Sequence, residues 1–341
     1  MSGEPNTGKM SQTTAALAEG LEETRRGSAL LRFLGRLCRE KPLGAVGGVI
    51  VLLMLLTGIF ADVIAPYSYD EVHPIDRLSE PSSKYLLGTD GLGRDVLSRI
   101  IYGARISMIV GLAATALNTV VSTVIGLTSG YIGGKFDLVV QRFVDAWLCF
   151  PGLVIFLILM NLIGAGIPQM IFVLGIAGGI SGSRASRSLA FWIKESTYLE
   201  AARAVGASTW RIMWKHLLPN VLPLIIVSFS IGIGGVILAE ASLSFLGFGI
   251  PPPFPSWGQM IGGPARYQME RAPWMVLWPG VALTLAVYGV NMFGDAVRDL
   301  IDPRLRGGVG GLGGYGMEGA RKALRKMQAK AEKDSRKVSP A

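Results

Sequence analysis

Cysteine and histidine are almost missing from this sequence: Cys38, Cys149, His73 and His216 are all it has in 341 residues. Two cysteines give no disulfide framework, and so few ligands cannot assemble a zinc-type cluster. Their scarcity also argues against a membrane-embedded enzyme with a zinc or thiol centre. No cofactor or metal is expected. Charge is short as well, at 17% of residues against about 25% in an ordinary soluble domain, which leaves the chain short of solubilising groups. A phosphate-binding loop is lacking too. Gly3 to Lys9 mimics one, but Met10 stands where Ser or Thr is required and no strand precedes it. Gly308, Gly310 and Gly313 have dinucleotide spacing but lie in a glycine-rich run without a flanking strand. The sequence therefore offers nothing that binds and hydrolyses ATP.

What the chain has instead is apolar length. Half of its residues are hydrophobic, 45 are glycine and the mean hydropathy is +0.44. Six apolar segments run over about 44–64, 105–130, 143–164, 168–187, 221–246 and 274–295. Each approaches the ~20 residues that cross a ~30 Å hydrocarbon core. Helices are the expected spans, because lipid offers no partner for open backbone groups. The fourth segment is interrupted by Gly and Ser. The glycines suit close helix packing in lipid.

The formal charge of +9 does not point to nucleic acid, since it is concentrated in the two tails and one loop. Seven basic residues lie between Lys9 and Lys41, and Lys135 and Arg142 follow the second segment. The 184–217 loop carries Arg184, Arg187, Lys194, Arg203, Arg211 and Lys215, and another basic run follows Arg298. With six spans all four regions fall on one side, which the positive-inside rule makes the cytoplasm. Both termini are then cytoplasmic. Cys38 and Cys149 fall on that side or in lipid. The 65–104 loop, acidic at Asp70, Glu71, Asp76, Glu80, Asp90 and Asp95, lies outside.

Residues 1–43 read as a polar lead too long and too polar for a cleaved signal peptide, with a short basic helix before the membrane. Residues 44–104 form the first span and outer loop, and 105–300 a five-span core. Residues 301–341 form a glycine-rich linker and a basic tail.

The stretch 198–220, YLEAARAVGASTWRIMWKHLLPN, is polar and helix-prone between two apolar segments. Leu199, Ala202 and Val205 fall on one face of a short helix, which Gly206 can end in a left-handed conformation. Ser208 is positioned to cap a second helix, where Trp210, Met213, Trp214 and Leu217 form an apolar stripe and Pro219 stops the helix before the fifth span. By pattern alone this is either an interfacial amphipathic linker or a surface shaped for a partner. Glu200, Ala201, Ala202, Gly206, Leu218 and Pro219 stand at the spacing of the EAA loop of ATP-binding-cassette importer permeases, and the stretch resembles it. In that family the loop docks a separate ATPase. His216, where the broad family often has Ile, gives a His-x-Leu-Pro-Asn form similar to the peptide-transporter branch.

A second motif, Gly88-Thr89-Asp90 with Gly93-Arg94-Asp95, is by itself a glycine-punctuated turn or structural cap. It also resembles the LGTDxLGRD signature of the dipeptide/oligopeptide/nickel permease family. With Gly294-Asp295, Arg298-Asp299 and Asp302-Pro303-Arg304, the resemblance spans about residues 30–306 and points to the C-type subunit. It implies an all-α membrane protein of six transmembrane helices, with a cytoplasmic coupling-helix loop and the type I ABC importer architecture. It also implies a homologous second permease, two ATPase subunits and an extracytoplasmic solute-binding protein. The chain is then a non-enzymatic permease in the cytoplasmic membrane, in contact with lipid and not with nucleic acid. Its implied cargo is a di- or oligopeptide, with nickel chelates and other solutes left open.

Two acidic residues lie in apolar surroundings. A charge mid-membrane costs about 2.5–3.5 kcal/mol, so each is expected to face protein or water. Glu240 reads as lining the path or the seam with a partner permease, or as a structural hydrogen bond between helices. Asp145 reads as structural. A proton-coupled carrier using both as a relay is the competing reading. The 247–273 loop, with Pro251-Pro252-Pro253, Trp257 and Trp274, is either a re-entrant closure touching a binding protein or a passive cap.

Overall fold

A computed structural model describes residues 29–301 of the chain, with side chains from residue 33 onward. The N-terminal lead up to residue 28 and the linker and tail after 301, including both glycine mimics and Asp302-Pro303-Arg304, lie outside the described residues. Among the described residues there is no strand, only an isolated bridge between Thr89 and Asp95. The helices are α1 (Ala29–Glu40), α2 (Pro42–Ile59), α3 (Ala61–Ile64), α4 (Val96–Ile132), α5 (Gly134–Leu148), α6 (Gly152–Ile163) and α7 (Ile167–Lys194). They continue with α8 (Thr197–Ala204), α9 (Thr209–Ile212), α10 (Leu218–Phe245), α11 (Trp257–Ile261), α12 (Gly263–Tyr267) and α13 (Trp274–Ile301).

The 37 residues of α4 amount to about 55 Å at 1.5 Å per residue. This is longer than the 105–130 segment, because the chain is already helical from Val96. Its main partner is α7, and the two meet through small residues. A methyl group added at Gly126 would lie 2.5 Å from Ser186 Cβ, and one at Gly130 2.8 Å from Ala190 Cβ. From the other side, Gly175 and Gly179 face Leu117 and Val121, with added methyl groups at 2.6 Å. Only hydrogen fits at these places, which lets the backbones approach closely where lipid gives no hydrophobic drive for helix association. Nearer the start of α4, Ile106, Val110 and Ala114 join Met160 of α6, Met170, Val173 and Leu174 of α7, and Val236 and Leu243 of α10 in one buried core. Helix α2 lies on α13, where Gly44 and Gly47 meet Ala296, Met292 and the Gly289 backbone.

The expected segments appear with two changes. Helices α2, α4, the run Thr209–Phe245 and α13 are each long and apolar enough to cross a membrane. The third segment is not one straight span: α5 and α6 meet at an 88° bend and reach spanning length only as a pair. Pro151 stands at the break, where its missing N–H and its clash with the preceding turn end a helix. The fourth segment is a continuous helix of 28 residues but falls short of spanning hydropathy. Several of its Gly, Ser and Arg residues are turned toward α4 and α5. Ser183 and Ser186 are buried, and Arg187 Nη2 lies 2.5 Å from Asp137 of α5. Among the described residues four helices, or five counting the bent pair as one span, are thus long and apolar enough to cross a membrane, and α7, 28 residues long, packs among them with a polar face. Cys38 and Cys149 are free thiols.

Gly126→Val is expected to destabilise the chain by about 1–3 kcal/mol through overpacking of the α4–α7 contact. The readout is a lower thermal midpoint of the isolated chain in detergent. Gly235→Ala, whose added methyl group meets no atom within 4 Å, is expected to leave the midpoint unchanged.

Candidate functional site

The 197–220 stretch folds as a bent helical pair. Helix α8 ends as Gly206 takes φ +81°, a left-handed conformation that costs any other residue about 1–2 kcal/mol. Ser208 then caps α9, its hydroxyl accepting from the Arg211 N–H at 3.3 Å. Leu199, Ile212, Met213, Leu217 and Val221 turn inward onto Leu127 and Tyr131 of α4 and Ala190 and Ile193 of α7. Glu200, Ala201, Gly206 and Pro219 are exposed, and Ala202 and Leu218 half-buried.

Three details differ from the sequence pattern. Val205 does not join Leu199 and Ala202 in the buried face; it is 89% exposed. The stripe divides, with Met213 and Leu217 inside while Trp210 and Trp214 project outward and stack edge to face with centroids 5.4 Å apart. Pro219 does not stop the helix. A π-helical turn, Met213–Leu217, joins α9 to α10 without a break. The wider turn carries the helix into a proline that has no N–H to give, and Asn220 Nδ2 donates to the His216 carbonyl at 2.6 Å.

The pair is held to the bundle by charge as well as packing. The Arg203 guanidinium lies 5.4 Å from the Tyr131 ring centroid, with Lys194 at 5.8 Å, within cation–π range. Beside them Asp137 accepts from Arg187 Nε at 2.7 Å and from the Ser129 hydroxyl. Sequence reading missed this brace because its members, from Ser129 to Arg203, share no helix face or spacing.

The other end of α4 carries the second motif. Gly88 and Gly93 have φ of +78° and +83°. Thr89 Oγ1 donates to the Asp76 carbonyl at 2.5 Å and accepts from the Ser79 N–H at 2.8 Å. Trp274 Nε1 donates to the Thr89 carbonyl at 3.1 Å, tying the turn to α13. Asp90 accepts from the Leu92 N–H, the Arg94 N–H and Arg94 Nε at 2.8, 3.0 and 2.7 Å. Asp95 caps α4, accepting from the Ser98 N–H at 2.7 Å. Nearby, the Lys84 ammonium and then the Tyr85 hydroxyl hold the Asp76 carboxyl below its ordinary range. A carboxyl with a lowered folded value stabilises the fold above its unfolded value and loses that contribution as pH falls through the lowered one.

Glu240 lies inside the chain's own packing, 1% exposed. Its Oε1 accepts from the Ser244 hydroxyl at 2.7 Å, Ser256 is a second hydrogen-bond partner, and Oε2 has none. Asp145 is ion-paired with Arg184 and, at 3.3 Å, Arg142. The 247–273 loop forms α11 and α12. Trp257 Nε1 donates to the Ile100 carbonyl at 3.1 Å, so the loop is an ordered cover on the motif end of the bundle.

Residues 122–307 match the family described as binding-protein-dependent transport system inner membrane component. Residues 31–81 match the N-terminal transmembrane domain of oligopeptide transport permease C. The dipeptide transport system permease protein DppC of Alkalihalophilus pseudofirmus is 37% identical over 268 residues, 79% of this chain and 88% of its own length. The chain belongs to this permease family. The glutathione transport system permease protein GsiD of Pectobacterium atrosepticum is 37% identical over 78% of this chain and 89% of its own. The oligopeptide transport system permease protein OppC of Bacillus subtilis is 35% identical over 82% and 89%. A chain of the inward-facing MetNI methionine ABC transporter is similar over 60% of this chain and 96% of its own, with 18% identity and a TM-score of 0.49.

The permease is thus a multi-pass inner-membrane subunit of an ABC importer and not an enzyme; a proton-coupled carrier is not supported. Asp95→Ala is expected to cost the permease about 1 kcal/mol by removing the cap of α4. Asp95→Asn, which keeps an acceptor, is expected to retain most of that stability in detergent melts.

Proposed function

We propose that this permease imports short peptides, coupling a separate ATPase to its spans through the Glu200–Pro219 helical pair. The observation that carries this reading is an exposed, largely apolar knuckle of Val205, Trp210 and Trp214 on a buried and braced underside. Its second helix runs without interruption into α10. Glu200 adds one charge, and Ala201 and Gly206 leave the surface low enough for a groove on a partner. Leu218 and Pro219 lie where that surface becomes membrane helix, so a push on it is transmitted to α10 rather than absorbed.

In this reading the knuckle and both termini are cytoplasmic, in line with the Lys/Arg bias, and the 88–95 turn and the 247–273 loop face outward. A homologous second permease completes the path, two ATPase subunits dock below, and a solute-binding protein delivers cargo above. Closure of the ATPases draws the knuckles together and rocks the attached helices between inward- and outward-open states. The di-, oligopeptide and glutathione relatives support a cargo of a few residues. Residues 1–43, 44–104, 105–300 and 301–341 serve as lead, first span with outer loop, permease core and tail. Glu240, buried among Ser244 and Ser256, holds the outer end of α10 to the loop that covers it.

Glu200→Arg and Gly206→Pro are expected to abolish ATPase co-purification while membrane insertion stays intact. Normal recovery of the ATPase with both variants would contradict the docking assignment.

A further inference from the structure

At the motif end, α4, the 88–95 turn and the α11–α12 loop enclose a cavity of about 390 Å³ open on one side. That volume is in the range of small-ligand sites. Its lining is unbalanced in charge: Arg77, Arg94 and Arg99 face a single carboxylate, Asp90. Arg94 Nε lies 2.7 Å from Asp90 Oδ2 and Arg99 Nε 3.8 Å from the same oxygen. The next acidic groups are already engaged, Asp95 at the helix cap and Asp76 with Lys84. Arg77 uses Nε on the Gly91 carbonyl at 2.8 Å. Its terminal amino groups have no partner among the described residues.

The same cavity has the opposite deficit a short way along its wall. Gln259 and Gln268 both line it, and the side-chain oxygen of each is buried with no hydrogen-bond donor. A buried acceptor left unpaired costs about 1–3 kcal/mol, and two in one wall mark a place where donors belong. Gly91 keeps the Gln268 amide in reach, since an added methyl group would lie 3.0 Å from that oxygen. The Met260 and Met275 side chains complete the lining with adaptable apolar surface.

We infer that this cavity binds the C-terminal end of a short free peptide. The carboxylate sits against Arg77 and Arg94, the peptide N–H groups donate to Gln259 and Gln268, and a side chain lies on the methionines. Arginine suits the first task because its planar fork matches a carboxylate. Arg99 is a positioning residue: its Nη1 donates to the Tyr69 carbonyl at 2.9 Å, which fixes the floor. The inference rests on the peptide reading above for the source of the ligand, and it adds a contact on the permease itself.

The test uses the permease with its partner subunits in lipid nanodiscs and two probes, alanyl-alanine and its C-terminal amide. Calorimetry is expected to give binding of the free acid and at least about tenfold weaker binding of the amide, the loss of one charge-assisted pair. Arg77→Ala at the exposed rim and Gln268→Leu are each expected to weaken the acid several-fold at an unchanged thermal midpoint. Equal affinity for the two probes, indifference to both variants, or no binding of the acid at millimolar concentration would overturn the inference. Because the assay reads neither ATPase association nor transport, its failure leaves the docking surface untouched. Failure of docking in turn leaves a positive binding result standing.

Discussion

The rest of this structure depends on the close contact of α4 with α7. In lipid, apolar side chains gain nothing by leaving hydrocarbon for one another, so helix pairs need dispersion contact and small residues to hold. Gly126 and Gly130 on one helix, and Gly175 and Gly179 on the other, supply that contact along most of the length of α7. The helix so fixed is also one of the two longest among the described residues, matched by the run Thr209–Phe245. One end of α4 is capped inside the 88–95 turn, and the other provides Leu127 and Tyr131 as the bed of the 197–220 helical pair. A single rigid element therefore relates the surface proposed to meet the ATPase to the cavity proposed to meet the cargo.

The two ends differ in how they are held. At the motif end, backbone geometry and hydrogen bonds dominate: two left-handed glycines, a threonine bridging loop segments, and aspartates that each accept more than one hydrogen bond. Such a turn is held by many specific bonds between its own donors and acceptors. At the knuckle end, packing and cation–π contacts anchor one face while the other is left bare. Exposed tryptophans on a braced helix are poorly used in water and well used in an interface, which gives Trp210 and Trp214 their meaning.

Much of this was legible in the sequence. The glycine at 206, the cap at Ser208 and the apolar lengths of α2, α10 and α13 follow from local rules that the chain obeys. The misreadings share a cause, which is that helical periodicity does not say which side of a stripe is covered. Met213 and Trp214 are adjacent members of one stripe, yet only the first finds α4 and α7 beneath it. Pro219 reads as a stop, and the π turn before it absorbs the missing N–H instead. Pro151 has no such turn, and there the helix does break. The brace around Tyr131 and Asp137, and the cavity joining Arg77 to Gln268, bring together residues far apart in the chain. Neither leaves a local signal.

Family membership fixes the chain as a permease subunit, and the central claim that remains is where force enters it. The most direct measurement replaces Trp210, 65% exposed, with a photo-crosslinking amino acid in the transporter expressed with its partner subunits. Ile75, 99% exposed beside the motif turn, serves as the control position. Illumination is predicted to join position 210 to the ATPase polypeptide and position 75 to none of it. A label at 210 that reaches only lipid or solvent, with the ATPase still bound to the complex, would contradict the account.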